Sequence, residues 1–406
     1  MLCLNLNWLE MKKFAILIIC FILTSSAFTQ NAEKTLQFDG TDDFVRISSN
    51  FGITSSYTIE FWFKTSATTA SCLFGQANNT PPTTPGSFIP VIGITSTGTL
   101  RAESWTSAIG AITTTALYND GKWHHVAFIT SATNQILYVD GTLIGSRTGT
   151  LNIAFWSTTQ IGTGYDASSS RLGGTAGWKY INANIDEVRI WNDTLSFNTI
   201  KDWCYRPVNS SHPYYSNLVA YYNLDEGSGT NAYDSSSNSY TGTLTNFASS
   251  GVWIASYAPF ASFPSNCLNN LAAIWPAKNS NSSSIMSLTD TISGNAYVVF
   301  GHNNGYLNYN SSNKPSVIKK RLSRYWRIEK EGTLNGTVIF NYTGIDTTGF
   351  FTFKLLSDND TNFSNATIIS GVKKGNSSIA FYNISFQDSS FYSRNNCSIG
   401  KVSIII

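Results

Sequence analysis

Three aspartates, Asp39, Asp42 and Asp43, lie close together in the chain, within and just after an Asp-Gly turn. Calcium takes about six to eight oxygen ligands from carboxylates, backbone carbonyls and water, so a dense group of carboxylates can form part of a calcium site. A simpler interpretation is also open, because Asp39 precedes Gly40 and Asp-Gly pairs commonly build turns. The residues themselves leave a cation site and a plain turn as alternatives.

A second set of candidates combines aromatic rings with polar side chains in segments rich in Gly, Ser and Thr. Sugar rings have apolar faces that stack on Trp and Tyr, while amide, carboxylate and guanidinium groups bind sugar hydroxyls. The candidate ligand-binding residues are Trp105, Trp156, Tyr165, Trp178, Asn152, Asp166 and Arg171. Any one of these rings could instead plug an end of a folded domain. As a group they predict a carbohydrate-binding surface.

The acidic residues do not form a recognisable catalytic pair. Retaining glycosidases need two carboxylates about 5 Å apart, and residues on one face of a strand are two positions apart. Glu60 has Trp62 and Lys64 at the matching positions. Asp186 and Glu187 are adjacent, so on a strand they face opposite ways. The chain also lacks the serine-hydrolase elbow and the metalloprotease helix. We therefore expect no catalytic residues and a protein that is not an enzyme.

His124 and His125 are adjacent within a strand-like segment. Neighbouring side chains on a strand point to opposite faces, so the two imidazoles cannot bind one metal ion together or act as an acid–base pair. We expect both to have structural roles.

Composition favours an exported β protein. The chain has 406 residues, of which 14% are aromatic and 12% charged, and its formal net charge is +2. This length allows two domains. Aromatic and β-branched residues with small polar turn residues are typical of β-sheets. The near-neutral charge argues against a nucleic-acid partner, which needs a concentrated basic surface.

Short strands of alternating polarity carry the residues discussed above. In chain order these segments are LQFDGTDDFVRI (36–47), TIEFWFKT (58–65), DGKWHHVAFIT (120–130), QILYVDGTLIG (135–145) and ANIDEVRIWN (183–192). In this order they resemble the LamG-like jelly roll of the concanavalin A-like lectin/glucanase superfamily, of the type in secreted Bacteroidota-like bacterial proteins. The resemblance implies an all-β fold, with a concanavalin A-like jelly-roll β-sandwich over residues 31–260.

The same resemblance implies a structural calcium ion, since calcium sites recur in this superfamily. Asp39, Asp43 and Asp186 are the implied ligands, because the first and last strands of a jelly roll are commonly neighbours. Alternatively, Asp186 only accepts hydrogen bonds from a loop.

Residues 265–406 are predicted to form a second, smaller β-sandwich of unknown role. Segments 296–309, 322–344 and 351–369 resemble an uncharacterised module that accompanies LamG-like domains in bacterial surface proteins. Within the first domain we predict a helix that Ser196 caps and Pro207 stops.

Residues 1–30 have the features of a secretory signal peptide. A basic start is followed by the apolar run 14–23 and by small residues, and Met11 is the expected initiator. We expect no transmembrane segment in the mature chain and a secreted or cell-surface location.

The mature chain keeps Cys72, Cys204, Cys267 and Cys397. These can form disulfides outside the cytoplasm, with Cys204–Cys267 a plausible pair.

These observations together predict a secreted or surface-associated, non-catalytic binding protein. Its expected partner is an extracellular glycan or glycoprotein, with calcium as a possible structural cofactor. One alternative is a structural or adhesive module that binds proteins. A second alternative is an unrecognised glycoside hydrolase of the same superfamily.

Overall fold

The computed structural model describes residues 33–49, 51–54, 56–104, 109–151, 157–167, 171–261, 269–318, 320–332, 335–345, 353–358, 363–385 and 400–405. Strands dominate these residues, which confirms the all-β prediction. They also contain one α-helix, α1 (Phe197–Trp203), and two short 3-10 helices, Tyr215–Asn217 and Phe363–Asn365. Within the described ranges, no helix has the length and apolar character needed to cross a membrane.

Sixteen of the described strands build the two sheets of the first sandwich, and two more form a separate hairpin. In chain order they are β1 (Lys34–Asp39), β2 (Phe44–Ile47), β3 (Ser56–Thr65), β4 (Ser71–Ala77), β5 (Phe88–Ile94), β6 (Thr99–Ala102), β7 (Ile112–Leu117), β8 (Trp123–Ser131), β9 (Asn134–Val139), β10 (Thr142–Thr148), β11 (Thr158–Ile161), β12 (Tyr165–Asp166), β13 (Gly177–Trp178), β14 (Asn182–Trp191), β15 (Leu218–Tyr222), β16 (Asn231–Ala232), β17 (Gly242–Thr245) and β18 (Trp253–Ala255).

Two antiparallel sheets face each other in this sandwich. The first sheet has the order β10-β9-β8-β3-β14-β1-β18, with β15 also beside β14, and the second has the order β16-β17-β2-β11-β4-β5-β6-β7. Strands β12 and β13 form a separate hairpin. The first strand, β1, lies beside the much later β14, and Asp39 stands opposite Asn182. This order agrees with the predicted jelly roll.

Strand β3 shows how the sequence drives the packing. Ile59, Phe61 and Phe63 are buried in the core between the two sheets. Full burial of such a side chain contributes roughly 1.5–3 kcal/mol. Glu60 and Trp62 point to the opposite face, where they too are buried. A covered outer face agrees with the presence of a tryptophan at a nominally polar position.

Helix α1 covers part of that outer face. The Ser196 hydroxyl accepts a hydrogen bond from the Thr199 amide at 3.1 Å, which caps the helix start as predicted. Ile200 packs with Ile129, Trp191 and other apolar residues of the first sheet. A short helix with one apolar side is stabilised mainly by this packing.

The second sandwich contains the remaining described strands. They are β19 (Asn269–Ile274), β20 (Ser280–Ser283), β21 (Met286–Thr289), β22 (Tyr297–His302), β23 (Tyr309–Asn310), β24 (Arg321–Leu322), β25 (Trp326–Glu331), β26 (Asn335–Asn341), β27 (Lys354–Asp358), β28 (Thr367–Ser370), β29 (Val372–Lys374), β30 (Ser378–Ser385) and β31 (Gly400–Ile405). One sheet has the order β19-β22-β25-β31-β24-β23, with β27 beside β31 and β28, and the other has the order β20-β21-β26-β30-β29. Its core includes Trp326, Phe340 and Phe381.

The two sandwiches meet in a buried apolar cluster, here called the junction. Trp62 and Trp123 of the first sandwich pack there with Trp275 and Val299 of the second. The Trp275 indole Nε1 donates to the Trp123 carbonyl at 2.8 Å. Residues 33–406 accordingly form one compact unit.

Cysteine chemistry at the junction differs from the expected disulfide. Cys204 is buried with a free thiol, and its Sγ donates to the Lys201 carbonyl at 3.5 Å. Cys72 is also buried and free. Cys267 and Cys397 lie outside the described residues. Because Cys204 keeps its thiol, the Cys204–Cys267 bridge is not formed in the structure.

Candidate functional site

The β12–β13 hairpin lies on the outer face of the second sheet, and two glycines allow it to approach. A Cβ atom added to Gly75 of β4 would lie 2.6 Å from the Gly164 Cα, and one added to Gly93 of β5 would lie 2.8 Å from a Leu172 methyl group. Real Cβ atoms do not approach other atoms so closely, so only glycine lets the hairpin segment rest against these strands. The position of the hairpin therefore depends on glycine at these two sites.

The hairpin presents two aromatic rings that meet edge to face. Tyr165 and Trp178 are directly opposite each other across the two strands. Their ring centres are 5.5 Å apart, and the Phe88 ring lies 4.8 Å from that of Tyr165. All three residues are half-buried. The Trp178 Nε1 donates to the Thr83 carbonyl at 3.3 Å, which holds the indole against the proline-containing loop of residues 78–87. We call Phe88, Tyr165 and Trp178 the aromatic surface.

Charged groups flank the aromatic surface on one side. The Arg171 guanidinium carbon lies 5.8 Å from the centre of the Phe88 ring. Its Nε is 3.0 Å from Glu103 Oε1, and Arg101 Nη2 is 2.8 Å from Glu103 Oε2. Aromatic rings with adjacent hydrogen-bonding groups can stack a sugar ring and bind its substituents.

The structure brings part of the predicted ligand-binding set together. Tyr165, Trp178 and Arg171 lie around one surface. Asp166 is fully buried, and its carboxylate accepts the Leu172 amide at 3.0 Å, so it shapes the loop from within. The other predicted residues, Trp105, Asn152 and Trp156, lie outside the described residues.

The sequence prediction missed one residue of the aromatic surface and two charged residues beside it. Phe88 opens β5 at the end of the proline-containing loop, and Arg101 and Glu103 belong to the β6 region. The aromatic residue directly after that loop was a usable signal for Phe88. The two charged residues carry no local signal, because they reach the surface only through the pairing of β5 with β6.

The acidic turn forms a second candidate site. One carboxylate oxygen from each of Asp39, Asp42 and Asp43 lies within 4.8 Å of the others. Burial, with repulsion from Asp39 and Asp42, raises the pKa of Asp43 to about 6, although the Asp39 amide partly offsets this. A divalent cation would relieve this repulsion, so the donors fit part of an oxygen-rich calcium site.

A groove of about 320 Å³ adjoins this turn and shares Asp39 with it. Its other lining residues are polar or small, namely Gly40, Ser66, Ala67, Thr68, Thr69, Tyr180 and Asn182. The turn also has internal hydrogen bonds, since the Asp39 carboxylate accepts the Thr41 amide at 2.7 Å. The acidic residues thus have a structural role whether or not a cation binds.

Asp186 is not part of this acidic turn, contrary to the expectation that it joins Asp39 and Asp43. Strands β1 and β14 are paired with Asn182 opposite Asp39, so Asp186 lies farther along β14. Its carboxyl group accepts hydrogen bonds from the Ser256 hydroxyl and from the Glu187 amide. Burial and the neighbouring Glu187 raise its pKa well above the usual range. Both effects disfavour the charged form of this carboxyl group.

Another group of charged residues is enclosed under helix α1. Arg189 lies 2.7 Å from Glu187 and 3.6 Å from Glu60, and it donates to the Trp203 carbonyl at 2.9 Å. Burial alone would raise the pKa of Glu60, but His125 and Arg189 lower it to about 2. Glu60 is fully buried, and Arg189 connects it to the Trp203 carbonyl at the end of the helix.

The two adjacent histidines face opposite ways, as predicted. His125 Nε2 lies 3.5 Å from Glu60 in the enclosed network. His124 instead lies between Asp140 and Asp120, with its ring nitrogens 2.7 Å and 3.0 Å from their carboxylates. Both imidazoles therefore have structural partners.

Comparison with known protein families agrees with the described architecture. Residues 39–201 match the Laminin_G_3 family, described as the Concanavalin A-like lectin/glucanases superfamily. Residues 265–390 match a domain of unknown function, DUF8202. No curated protein matches the chain in sequence.

Several solved structures resemble the chain. A candidate carbohydrate-binding protein from Bacteroides ovatus is 17% identical, with a TM-score of 0.42, and the match covers 57% of this chain and 62% of that protein. This chain thus spans less than two thirds of that protein. Domains LG4-5 of the mouse laminin alpha1 chain are 10% identical, with a TM-score of 0.31 and coverages of 92% and 88%. A sialidase from Trypanosoma rangeli is 17% identical, with a TM-score of 0.29 and coverages of 41% and 26%.

Proposed function

We propose that the first sandwich is a non-catalytic module that binds extracellular carbohydrate at the aromatic surface. The observation that carries this proposal is the placement of Tyr165 beside Trp178, with Phe88 in contact and Arg171 at the edge. Rings held by a hairpin lose little conformational freedom on binding, which favours affinity. Three adjacent rings, each steeply tilted to the next, offer several contact faces, which suits an oligosaccharide better than a single sugar.

The absence of catalytic residues is part of the same proposal. The carboxylates of Glu60 and Glu187 are enclosed and engaged by Arg189. At the aromatic surface, Glu103 is engaged by two guanidinium groups. A glycosidase needs one carboxyl group free to donate a proton and a second one nearby. These contacts support binding rather than hydrolysis.

Calcium and export remain further elements of the proposal. Asp39, Asp42 and Asp43 would hold the ion, which would neutralise their mutual repulsion and stiffen the turn between β1 and β2. The basic and apolar pattern of residues 1–30 supports export to the cell surface or medium, where a glycan or glycoprotein would be the partner.

The test is a glycan array probed with the full chain, in matched buffers that contain calcium or a chelator. We expect binding that falls about tenfold or more in Trp178→Ala, since loss of a stacked ring costs on the order of 1.4 kcal/mol. Tyr233→Ala is the control, because Tyr233 is 57% exposed and is not part of the aromatic surface.

Three outcomes are informative. Binding in calcium alone supports a role for the acidic turn, whereas equal binding in both buffers supports the aromatic surface without a need for calcium. Unchanged binding by Trp178→Ala would show that the site is elsewhere. If no glycan binds and a protein partner is captured instead, the structural or adhesive alternative is correct.

A further inference from the structure

We infer that the glycan bound at the aromatic surface is acidic, with carboxylate or sulfate groups on its sugar rings. This inference rests on the proposed carbohydrate binding and names the ligand class for the same surface. Its basis is the arrangement of guanidinium groups beside the rings.

Two arginines share one carboxylate at the edge of the aromatic surface. Arg171 Nε lies 3.0 Å from Glu103 Oε1, and Arg101 Nη2 lies 2.8 Å from Glu103 Oε2. In addition, Nη1 of Arg101 is buried and has no hydrogen-bond partner. One glutamate cannot neutralise two guanidinium groups, so the group carries a surplus positive charge.

Two further residues of opposite charge, Lys179 and Asp166, belong to the adjoining loop. Lys179 donates to backbone carbonyls of its own loop, and the buried Asp166 accepts a backbone amide of that loop. Counting Arg101, Arg171 and Lys179 as three positive charges, against Glu103 and Asp166 as two negative charges, leaves a charge of +1.

The order of exposure places the positive charge outermost. The side chain of Arg171 is 26% exposed, that of Arg101 is 12% exposed and that of Glu103 is 7% exposed. A ligand that approaches the rings therefore meets Arg171 before it meets the carboxylate. Guanidinium groups bind carboxylate and sulfate oxygens through paired N–H donors, and a nearby low-dielectric surface strengthens that interaction.

The test compares polymers that differ only in charge. Polygalacturonate is matched with its fully methyl-esterified form, and dextran sulfate with dextran, all in chelator and at low salt. We expect the full chain to bind at least one acidic polymer about tenfold more tightly than its neutral match, and the difference to shrink at high salt. A preference for polygalacturonate assigns a carboxylated sugar, and a preference for dextran sulfate assigns a sulfated one.

Two substitutions with opposite expected effects separate charge from structural damage. Arg171→Gln should weaken binding of the acidic polymer about tenfold, with partial recovery in Arg171→Lys. Glu103→Gln should strengthen it, because both guanidinium groups lose their carboxylate partner. Circular dichroism and the thermal midpoint verify that each variant is folded.

Failure of the inference and failure of the proposed function give different results. If glycans bind on the array but acidic and neutral polymers bind equally, the ligand class is wrong and carbohydrate binding stands. If no polymer and no array glycan binds, both proposals are overturned. If acidic polymers bind but Arg171→Gln binds as tightly as the native chain, the positive charge responsible lies elsewhere.

Discussion

His124 shows how the fold can set the charge of a single side chain. Its Nδ1 lies 2.7 Å from Asp140 and its Nε2 lies 3.0 Å from Asp120, so the ring is held most strongly when both nitrogens are protonated. Burial alone would lower the pKa of His124, but the two carboxylates raise it to about 9. The carbonyl of Asp140 also accepts Lys278 of the second sandwich at 2.9 Å. The imidazolium thus supports a turn that touches the junction.

This arrangement predicts a loss of stability at alkaline pH. The folded pKa of about 9 lies above the ordinary value of 6.5. The contribution of His124 is therefore complete below pH 6.5 and is lost as the pH rises through 9. We expect the free energy of unfolding, measured in urea, to fall by about 1–3 kcal/mol more in the native chain than in His124→Gln between neutral and strongly alkaline pH.

His302→Gln is the matched control for this experiment. Burial, with the Arg324 charge nearby, lowers the pKa of His302 to about 4, so this ring stays neutral across the range. Its variant should keep the native pH dependence. Parallel pH curves for the native chain and His124→Gln would contradict the prediction.

At the residue scale, the sequence indicates what a side chain can bind, but it does not indicate which distant residues lie beside that side chain. The stacking character of Tyr165 and Trp178 follows from residue type and segment composition alone. Asp186 has an equally suitable carboxylate, but strand register decides that Asn182 stands opposite Asp39. Likewise, Glu103 joins the surface through a strand pairing that its own segment does not encode. Register depends on contacts between distant segments, which local patterns do not reveal.

The β12–β13 hairpin is the element on which the candidate site depends. It has only two residues in each strand and lies against the second sheet where β4 and β5 carry glycine. A two-stranded hairpin is marginally stable alone, so its position comes from packing on the sheet. The geometry of the aromatic surface is therefore decided partly by residues that touch no ligand.

Gly75→Ala tests this dependence. The added methyl group would meet backbone atoms of the hairpin segment at 2.6 Å, and backbone cannot move aside cheaply. We expect a loss of about 1–3 kcal/mol in stability and a weaker interaction with whichever glycan the array identifies. Thermal unfolding and titration calorimetry measure the two effects. Gly86→Ala is the control, because its nearest neighbour would be a flexible side chain at 3.6 Å. Equal behaviour of the two variants would contradict the proposed support.

At the element scale, strands and the helix were predicted correctly where the local sequence pattern is sufficient to identify them. Alternating residues identified β3, β8 and β14, and Ser196 identified the start of α1. Which segment covers a sheet face was not predictable, because that depends on small residues in other strands. The sequence indicated that Trp62 is buried, because a tryptophan stands at a nominally polar position. It did not indicate which residues cover this side chain.

At the scale of the whole molecule, the two sandwiches pack together through a junction that is apolar and hydrogen bonded. Trp275 is 1% exposed and packs edge-on against Trp62, with ring centres 5.5 Å apart. Its indole also binds the Trp123 carbonyl. Removing the second sandwich would uncover these aromatic side chains, which is why binding is best tested on the full chain.

Trp275→Ala is expected to uncouple the two sandwiches. Loss of a buried tryptophan costs about 3–5 kcal/mol. Differential scanning calorimetry should show a single transition for the native chain and two separated transitions for the variant. Tyr306→Ala, at an 81% exposed position of the second sandwich, should leave the native profile unchanged. A single unshifted transition in Trp275→Ala would contradict the coupling.

The alkylation rate of the Cys204 thiol can report motion at this junction. Burial raises its pKa far above the usual range, so the reactive thiolate is scarce while the junction is closed. The carbonyl of the same residue holds the Trp62 indole at 2.8 Å. Cys72 is buried in the first sandwich, where its Sγ lies close to Gly164, directly before β12. The alkylation rates at these two positions would therefore compare opening of the junction with lifting of the hairpin segment from the sheet.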